Sequence, residues 1–219
     1  MVDTSLLGPV ELFNELESDE LTRLAGSAIS RRLYRNDVLF GEGDVADELF
    51  VMLTGRVGIA NRSPEGRESL VALMEAGDVF GEMGLFDDTG RSAQARALEP
   101  SEVLAIPYAP VRQIYQARPE LLWGVVRLLA GRLRSMDEAL ADAVFLDVTG
   151  RTAKRLLEVA GDDDEFVLPV TQEELAGMVG ASRERVNKAI AAFVRLGWIE
   201  QSDRRYRITN RRQLTIRAR

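Results

Sequence analysis

Two stretches of the chain concentrate side chains able to do chemistry. The first is Gly81-Glu82-Met83-Gly84-Leu85-Phe86-Asp87-Asp88-Thr89-Gly90-Arg91-Ser92-Ala93. Glycine-rich backbone lets amides approach an anion closely, as phosphate-binding nests require. Arg91 offers a planar fork for two phosphate oxygens, and Ser92 adds a hydroxyl donor. Glu82 can accept hydrogen bonds from a ribose hydroxyl. By itself an Arg near glycines is a weak signal: an ordinary surface turn with an Asp88–Arg91 pair explains it equally well.

The second stretch opens with Thr171-Gln172-Glu173-Glu174, which reads as a capping box. A short helix follows, carrying Leu175, Ala176 and Met178, and Gly180 suits the left-handed residue that closes it. Ser182 caps a second helix, Arg183–Leu196, whose apolar face is Val186, Ile190, Phe193 and Val194. Two short helices joined by a tight glycine turn form a helix-turn-helix. The first two turns of the second helix expose Arg183, Glu184, Arg185, Asn187 and Lys188. Arg and Lys donate to the guanine O6/N7 edge and Glu accepts from cytosine N4, at the helix end where this motif touches bases. Trp198-Ile199-Glu200 and Tyr206-Arg207-Ile208, separated by Ser202-Asp203-Arg204, read as a hairpin wing. Arg204, Arg205, Arg211 and Arg212 are then phosphate contacts rather than sequence readers. A solvated helix face explains any one of these charges, but not the ordered set.

Residues 30 to 107 must position the first stretch. Short apolar runs at Asp37–Phe40, Leu49–Leu53, Val57–Ala60, Leu70–Met74 and Val79–Phe80 alternate with glycines, the pattern of a compact antiparallel barrel or roll. Pro64-Glu65-Gly66 reads as a hairpin turn. A short helical stretch near Pro9–Ser27 precedes the strands, and Pro107 and Pro110 end them. Pro119 suits the first turn of a long helix. Along it Leu122, Val126, Leu129, Leu133, Met136, Leu140 and Ala143 fall at spacings of 4, 3, 4, 3, 4, 3, with Arg127, Arg132, Arg134 and Glu138 outside the seam. Such a heptad favours a partner helix over burial within one subunit. Gly150 interrupts the helical pattern after Asp147, and a fresh helix runs to Ala160 before the loop Gly161-Asp162-Asp163-Asp164.

Composition narrows the function classes. The 219 residues contain no Cys and no His, which removes disulfides, thiolate nucleophiles, iron–sulfur ligands and the usual zinc and haem ligand. The net charge of −7 is unevenly distributed. Residues 1–147 hold 14 basic and 25 acidic side chains, a net of −11, whereas 148–219 hold 14 and 10, a net of +4. From Ala181 onward 11 basic side chains face 3 acidic ones. That is the footprint of an attached polyanion-binding module, with a solvated basic tail as the bland alternative. No apolar run approaches the ~20 residues that span a bilayer. Met1–Pro9 lacks the basic start and apolar stretch of a signal peptide, so the expectation is a cytoplasmic protein without membrane contact.

Over essentially its full length the chain resembles the cyclic AMP receptor protein (CRP/FNR) family of bacterial regulators. Gly81–Ala93 resembles that family's phosphate-binding cassette. Phe145-Leu146-Asp147-Val148-Thr149-Gly150-Arg151 resembles its hinge, and Val179-Gly180-Ala181-Ser182-Arg183-Glu184 the start of its recognition helix. The resemblance implies an α+β architecture: a cyclic-nucleotide-binding β-roll over residues 1–118, a dimerisation helix over 119–147 and a winged helix-turn-helix over 148–219. It further implies a homodimer, with double-stranded promoter DNA and RNA polymerase as partners. Cyclic AMP is the implied effector, with no metal, haem or iron–sulfur cluster.

By the same resemblance Glu82 holds the ribose, and Arg91 and Ser92 the cyclic phosphate with the Gly81 amide, in a segment that includes Met83. Arg183, Glu184 and Lys188 read bases, the last often being Arg in the family; Thr171 and Ser182, at the starts of the two helices, are expected among the DNA-binding residues with Arg185, Asn187, Arg204 and Arg205. Where cyclic-AMP-responsive members place polar residues against the purine, this chain has Met136 and Asp137. Cyclic GMP, cyclic di-GMP and effector-independent binding are therefore alternatives. A nucleotide-processing enzyme with a DNA-binding appendage would need a metal cluster or an acid–base pair, and no grouped carboxylates at ligand spacing supply one.

Overall fold

The computed structural model describes residues 3–63 and 68–219. The hairpin expected at Pro64-Glu65-Gly66 lies outside the described residues. The chain divides into two compact units, Met1–Leu133 and Arg134–Arg219.

In the first unit a 3-10 turn at Thr4–Leu6 precedes α1 (Ser18–Ser27), so the helical stretch starts later than Pro9. Strands β1 (Ile29–Leu33), β2 (Val38–Phe40), β3 (Glu48–Thr54), β4 (Val57–Arg62), β5 (Glu68–Met74) and β6 (Val79–Phe80) follow. Helix α2 (Met83–Asp87) comes next, then β7 (Gln94–Ala97), β8 (Ser101–Pro107) and α3 (Tyr108–Ala117). A 3-10 turn at Pro119–Leu121 then leads into α4 (Leu122–Phe145). The strands form two antiparallel sheets, ordered β1-β8-β3-β6 and β2-β7-β4-β5.

Period-two alternation explains the layering. In β3, Phe50 and Met52 pack with Phe40, Val57, Phe80, Ala95 and Val103, which come from both sheets. Leu49 and Val51, on its other face, join Leu24, Val111, Ile114, Val125 and Leu128 from the helices. Buried on both faces, β3 reads as the unbroken run Leu49–Leu53 rather than as an alternating one.

Pro107 ends β8, as expected, and the chain turns directly into a helix. Pro107 is the N-cap of α3 and Pro110 stands in its first turn, where backbone amides have no intrahelical acceptor to lose. In α4, Val125 and Leu128 are buried whereas Leu122, Val126, Leu129, Leu133, Met136, Leu140 and Ala143 are exposed.

The second unit takes in the last turns of α4. Helix α5 (Val148–Ala160) follows, then β9 (Glu165–Val167), α6 (Gln172–Val179), α7 (Arg183–Arg195), β10 (Ile199–Ser202), β11 (Arg205–Ile208) and α8 (Arg211–Arg217). The helical break lies at Leu146-Asp147 rather than at Gly150. Asp147 caps α5 by accepting from the Gly150 amide at 2.8 Å. Gly150 lies in the first turn, where a Cβ would meet the Arg217 carbonyl oxygen at 3.1 Å. The division within α4 follows from contacts at its end: Lys154 pairs with Asp142 at 2.6 Å, and Arg151 donates to the Leu146 carbonyl at 2.7 Å. Sheet β10-β11-β9 completes the wing with a strand the apolar pattern did not reveal.

Candidate functional site

Gly81 follows β6 with a φ of +73°, a conformation that costs a side-chain-bearing residue about 1–2 kcal/mol. A Cβ there would stand 2.7 Å from Arg91 Nη1. The turn aims the Gly81 carbonyl at two donors, the Tyr108 hydroxyl and Arg91 Nη1, the latter at 2.7 Å. Glu82 precedes α2, which closes at Asp88 in the left-handed region. Asp88 pairs with Arg112 at 2.7 Å and not with Arg91, so the ordinary surface turn is not what forms. The Arg91 backbone is stitched to the loop before β3: its amide donates to Asp44 O at 2.9 Å, and its carbonyl accepts from Gly43 at 2.8 Å.

The Arg91 side chain points inward and is only 7% exposed. Nη1 donates to Gly81 O and to the Tyr108 hydroxyl at 3.3 Å, and Nη2 to Glu48 O at 2.8 Å. The guanidinium lies over the Phe40 ring, 4.3 Å from its centroid. Glu48 is itself gripped at both carboxylate oxygens by Arg31, at 2.6 and 2.8 Å. Arg91 Nε is buried and has no partner among the described residues.

Glu82 is fully buried. Burial raises its pKa, against the pull of the Arg132 guanidinium and, more weakly, Arg91. Arg132 Nη1 donates to Oε1 and its Nη2 to Val79 O at 2.6 Å, while Oε2 has no partner among the described residues. The segment thus holds one enclosed unpaired donor and one enclosed unpaired acceptor. Such atoms cost folding free energy unless something satisfies them. A phosphate oxygen suits the first and a hydroxyl the second. Met83 and Ser92 are exposed, with Ser92 Oγ 3.5 Å from Met83 Sδ.

Arg132, Tyr108, Glu48 and Phe40 were not among the residues picked out of the sequence. Arg132 was noted only as a charge outside the apolar seam; it continues the stripe of Val125 and Leu128 at spacings of 3 and 4, a stripe that the burial of those two residues reveals. A cleft of about 810 Å³ borders α3 and the loop before β3, with Tyr108, Gly84 and Gly90 in its lining. Asp44, Asp47 and Asp88 line it, whereas Glu82 and Arg91 do not.

In the second unit the capping box forms: Glu174 N donates to Thr171 Oγ1 at 3.2 Å, and Thr171 N to Glu174 Oε2 at 2.6 Å. Gly180 closes α6 at φ +67°, and Ser182 Oγ accepts from the Arg185 amide at 3.4 Å to start α7. Arg183, Glu184, Arg185 and Lys188 are exposed on its first two turns. Lys188 holds Glu184 at 2.6 Å and lowers its pKa, keeping it an ionised acceptor. Asn187 differs from the exposed position expected of it, being half-buried with its Oδ1 enclosed. Val194 is likewise 42% exposed rather than part of the buried face. Arg205 and Arg212 are exposed. By contrast Arg204 donates twice to Leu168 O, and Arg211 binds Asp164 and the carbonyls of Gly161 and Asp163. Met136 and Asp137 lie on α4, both exposed.

Residues 30–118 match the cyclic nucleotide-binding domain family, and residues 150–216 the Crp-like helix-turn-helix domain. The chain is 36% identical over 221 residues to a CRP-like cAMP-activated global transcriptional regulator of Mycobacterium tuberculosis, covering 98% of this chain and 99% of that one. It is 35% identical over 159 residues to the cAMP-activated global transcriptional regulator CRP of Salmonella typhimurium, covering 69% and 76%. Among solved structures, a CRP-family transcriptional regulator from Thermus thermophilus is similar with a TM-score of 0.70 at 25% identity, over 86% of this chain and 96% of that one. The fold is shared with a c-di-GMP-responsive global regulator of Xanthomonas campestris at a TM-score of 0.76 and 24% identity, over 88% and 99%. Built from a nucleotide-binding β domain and a DNA-reading winged helix, the chain belongs to the CRP/FNR family of transcription regulators.

Proposed function

We propose that the chain is a homodimeric promoter-binding regulator whose DNA affinity is set by a cyclic nucleotide, with cyclic AMP as the effector. One observation carries the reading: Arg91 Nε and Glu82 Oε2, a donor and an acceptor buried in one segment, both lack partners among the described residues. The Nε edge of Arg91 takes the cyclic phosphate, with Ser92 and the Gly81 amide beside it, and Glu82 takes the ribose 2′-hydroxyl. The names of the relatives at 35–36% identity support cyclic AMP as the base-bearing partner of those contacts.

The seam Leu122, Val126, Leu129, Leu133, Met136, Leu140 and Ala143 supports the dimer, since these apolar side chains are exposed in the single chain. A dimer sets two α7 helices about one DNA turn, roughly 34 Å, apart in successive major grooves. Arg183, Glu184, Arg185 and Lys188 then face base edges, with Arg205 and Arg212 on phosphates. Ligand raises DNA affinity by no more than its own preference for that arrangement over the alternatives. RNA polymerase is the partner at the promoter and the cytoplasm the compartment.

The test pairs calorimetry with DNA binding. Cyclic AMP, cyclic GMP and cyclic di-GMP are titrated into wild type and Arg91→Ala. Affinity for a promoter fragment selected by the wild type is then measured with and without each nucleotide. Cyclic AMP should bind the wild type, tighten its DNA complex and do neither in the variant. Identical responses of the two proteins would remove Arg91 as the clamp. A response to another nucleotide alone would reassign the effector, and tight DNA binding indifferent to all three would make the protein effector-independent.

A further inference from the structure

Tyr108 is the first residue of α3 and is buried. Its hydroxyl has one proton, donated to Gly81 O, so it faces Arg91 Nη1 with a lone pair. Burial pushes its pKa up to about 12, so it remains a neutral donor at any pH at which the protein would be assayed. Gly81 O, Tyr108 Oη and Arg91 Nη1 close a triangle in which every pair is hydrogen-bonded.

The consequence lies at the other edge of the guanidinium. This group is planar and rigid, with five N–H donors in fixed directions. Tyr108 and Gly81 O hold the Nη1 end, Glu48 O takes Nη2, and the Phe40 ring covers one face. Fixing one end and one face of a plane fixes the direction of the remaining edge, and that edge carries the unpartnered Nε–H.

We propose that Tyr108 is the positioning residue of the anion clamp, holding the Nη1 end of Arg91 so that its Nε edge is presented to the phosphate of a cyclic nucleotide. The assignment rests on the reading of Arg91 given above. It makes the hydroxyl a contributor to ligand affinity without ligand contact. It also runs opposite to a competing role, in which Tyr108 and the carbonyls hold Arg91 back from the phosphate.

The experiment is cyclic AMP calorimetry on the full chain at one salt concentration, for wild type, Tyr108→Phe, Arg91→Lys and the double variant. Phe keeps the ring and its packing. Tyr108→Phe should weaken cyclic AMP binding about 2- to 12-fold, the low end for a charge-assisted hydrogen bond because the contact to Arg91 Nη1 is long at 3.3 Å. Lys keeps the charge but has no planar fork to orient, so adding Tyr108→Phe to Arg91→Lys should change affinity less than about twofold. A merely structural contribution of the hydroxyl would weaken both backgrounds alike. Tighter binding by Tyr108→Phe, unchanged binding, or losses that multiply in the double variant would each overturn the assignment while leaving the clamp standing. A wild type that binds no cyclic AMP, or an Arg91→Lys that binds as wild type does, would take the clamp away and this assignment with it.

Discussion

Replacing Arg132 by Met should destabilise the protein in a strongly pH-dependent way. Glu82 is fully buried, Oε2 has no partner among the described residues, and Arg132 is the largest charged influence holding it ionised. Removing one partner of a fully buried pair costs about 3–5 kcal/mol when the other charge stays behind, an upper bound here because the Arg132 side chain is 35% exposed. The protein has a cheaper route at low pH, because Glu82 can take up a proton. From the ordinary Glu value of 4.5, that uptake costs roughly 1.36 × (pH − 4.5) kcal/mol, about 4 at pH 7.5 and about 1.4 at pH 5.5. The smaller of the two costs applies, and because the wild-type carboxyl is itself raised above 4.5 part of the uptake cost is already present there, so the loss attributable to the charge is below about 4 kcal/mol at pH 7.5 and below about 1.4 at pH 5.5. The sign follows from proton binding. A carboxyl whose folded pKa lies above its unfolded one binds more protons folded than unfolded, so stability falls as pH rises from 4.5 through the folded value. Urea unfolding of wild type and Arg132→Met, followed by circular dichroism at both pH values and one protein concentration, measures the difference. An equal loss at the two pH values, or a larger one at pH 5.5, would show that Glu82 does not depend on Arg132 for its charge.

Three further outcomes are expected. Gly81→Ala forces a φ of +73° on alanine and sets its Cβ 2.7 Å from Arg91 Nη1, so thermal unfolding should show a loss of about 1–3 kcal/mol with cyclic AMP binding weakened; an unchanged midpoint would refute the conformational argument. Thr171→Ala deletes the side-chain half of the capping box and should lower the stability of the winged-helix unit by about 1 kcal/mol, read by urea unfolding, while a loss below a few tenths would mean the cap is redundant. Leu133→Glu places a charge in the exposed apolar seam and should yield monomers in analytical ultracentrifugation, with dimers persisting if that seam is not the interface.

The sequence was most informative where periodicity and turn chemistry act locally. The capping box at Thr171 and the closing Gly180 are local devices, and both form as their residue types demand. The strict 3/4 spacing from Leu122 onward gives a helix whose seam stays exposed in the single chain. Strands with apolar runs were legible as far as β6, and β8 only by its end at Pro107; β1 and β7 were not, because Ile29-Ser30-Arg31-Arg32-Leu33 and Gln94-Ala95-Arg96-Ala97 carry long polar side chains or small ones. Pro107 does end β8 as expected, but helix α3 directly behind it was not anticipated, although a cap and a first turn tolerate proline. Gly150 misled, its amide being satisfied by Asp147 inside the helix it was expected to interrupt. In the site, Glu82 and Arg91 are legible from their glycine-rich setting. Tyr108 and Arg132 are not, because they reach Gly81 and Glu82 from 27 and 50 residues away in sequence.

Arg132 also bears on how a ligand could reach the DNA-reading unit. It follows the buried Leu128 by one turn and immediately precedes Leu133, an exposed residue of the seam. Its guanidinium makes two bonds to the β domain, one to Glu82 and one to Val79 O. In the proposed complex a ribose hydroxyl donating to Oε2 would lower the charge density Arg132 faces, so that ligand and helix would draw on the same carboxylate. A hydrogen bond to a charged group is worth about 1.5–3 kcal/mol, which bounds the leverage at roughly 10- to 150-fold in DNA affinity. Arg132→Lys keeps the cation but lacks the fork that spans both acceptors. At saturating cyclic AMP, where weakened binding no longer matters, the ratio of DNA affinities with and without ligand should fall several-fold in this variant. Fluorescence anisotropy on the selected promoter fragment reads that ratio directly. If the ratio equals that of the wild type, the bidentate hold of Arg132 does not transmit the signal, and coupling must reach α4 through packing at Val125 and Leu128 instead.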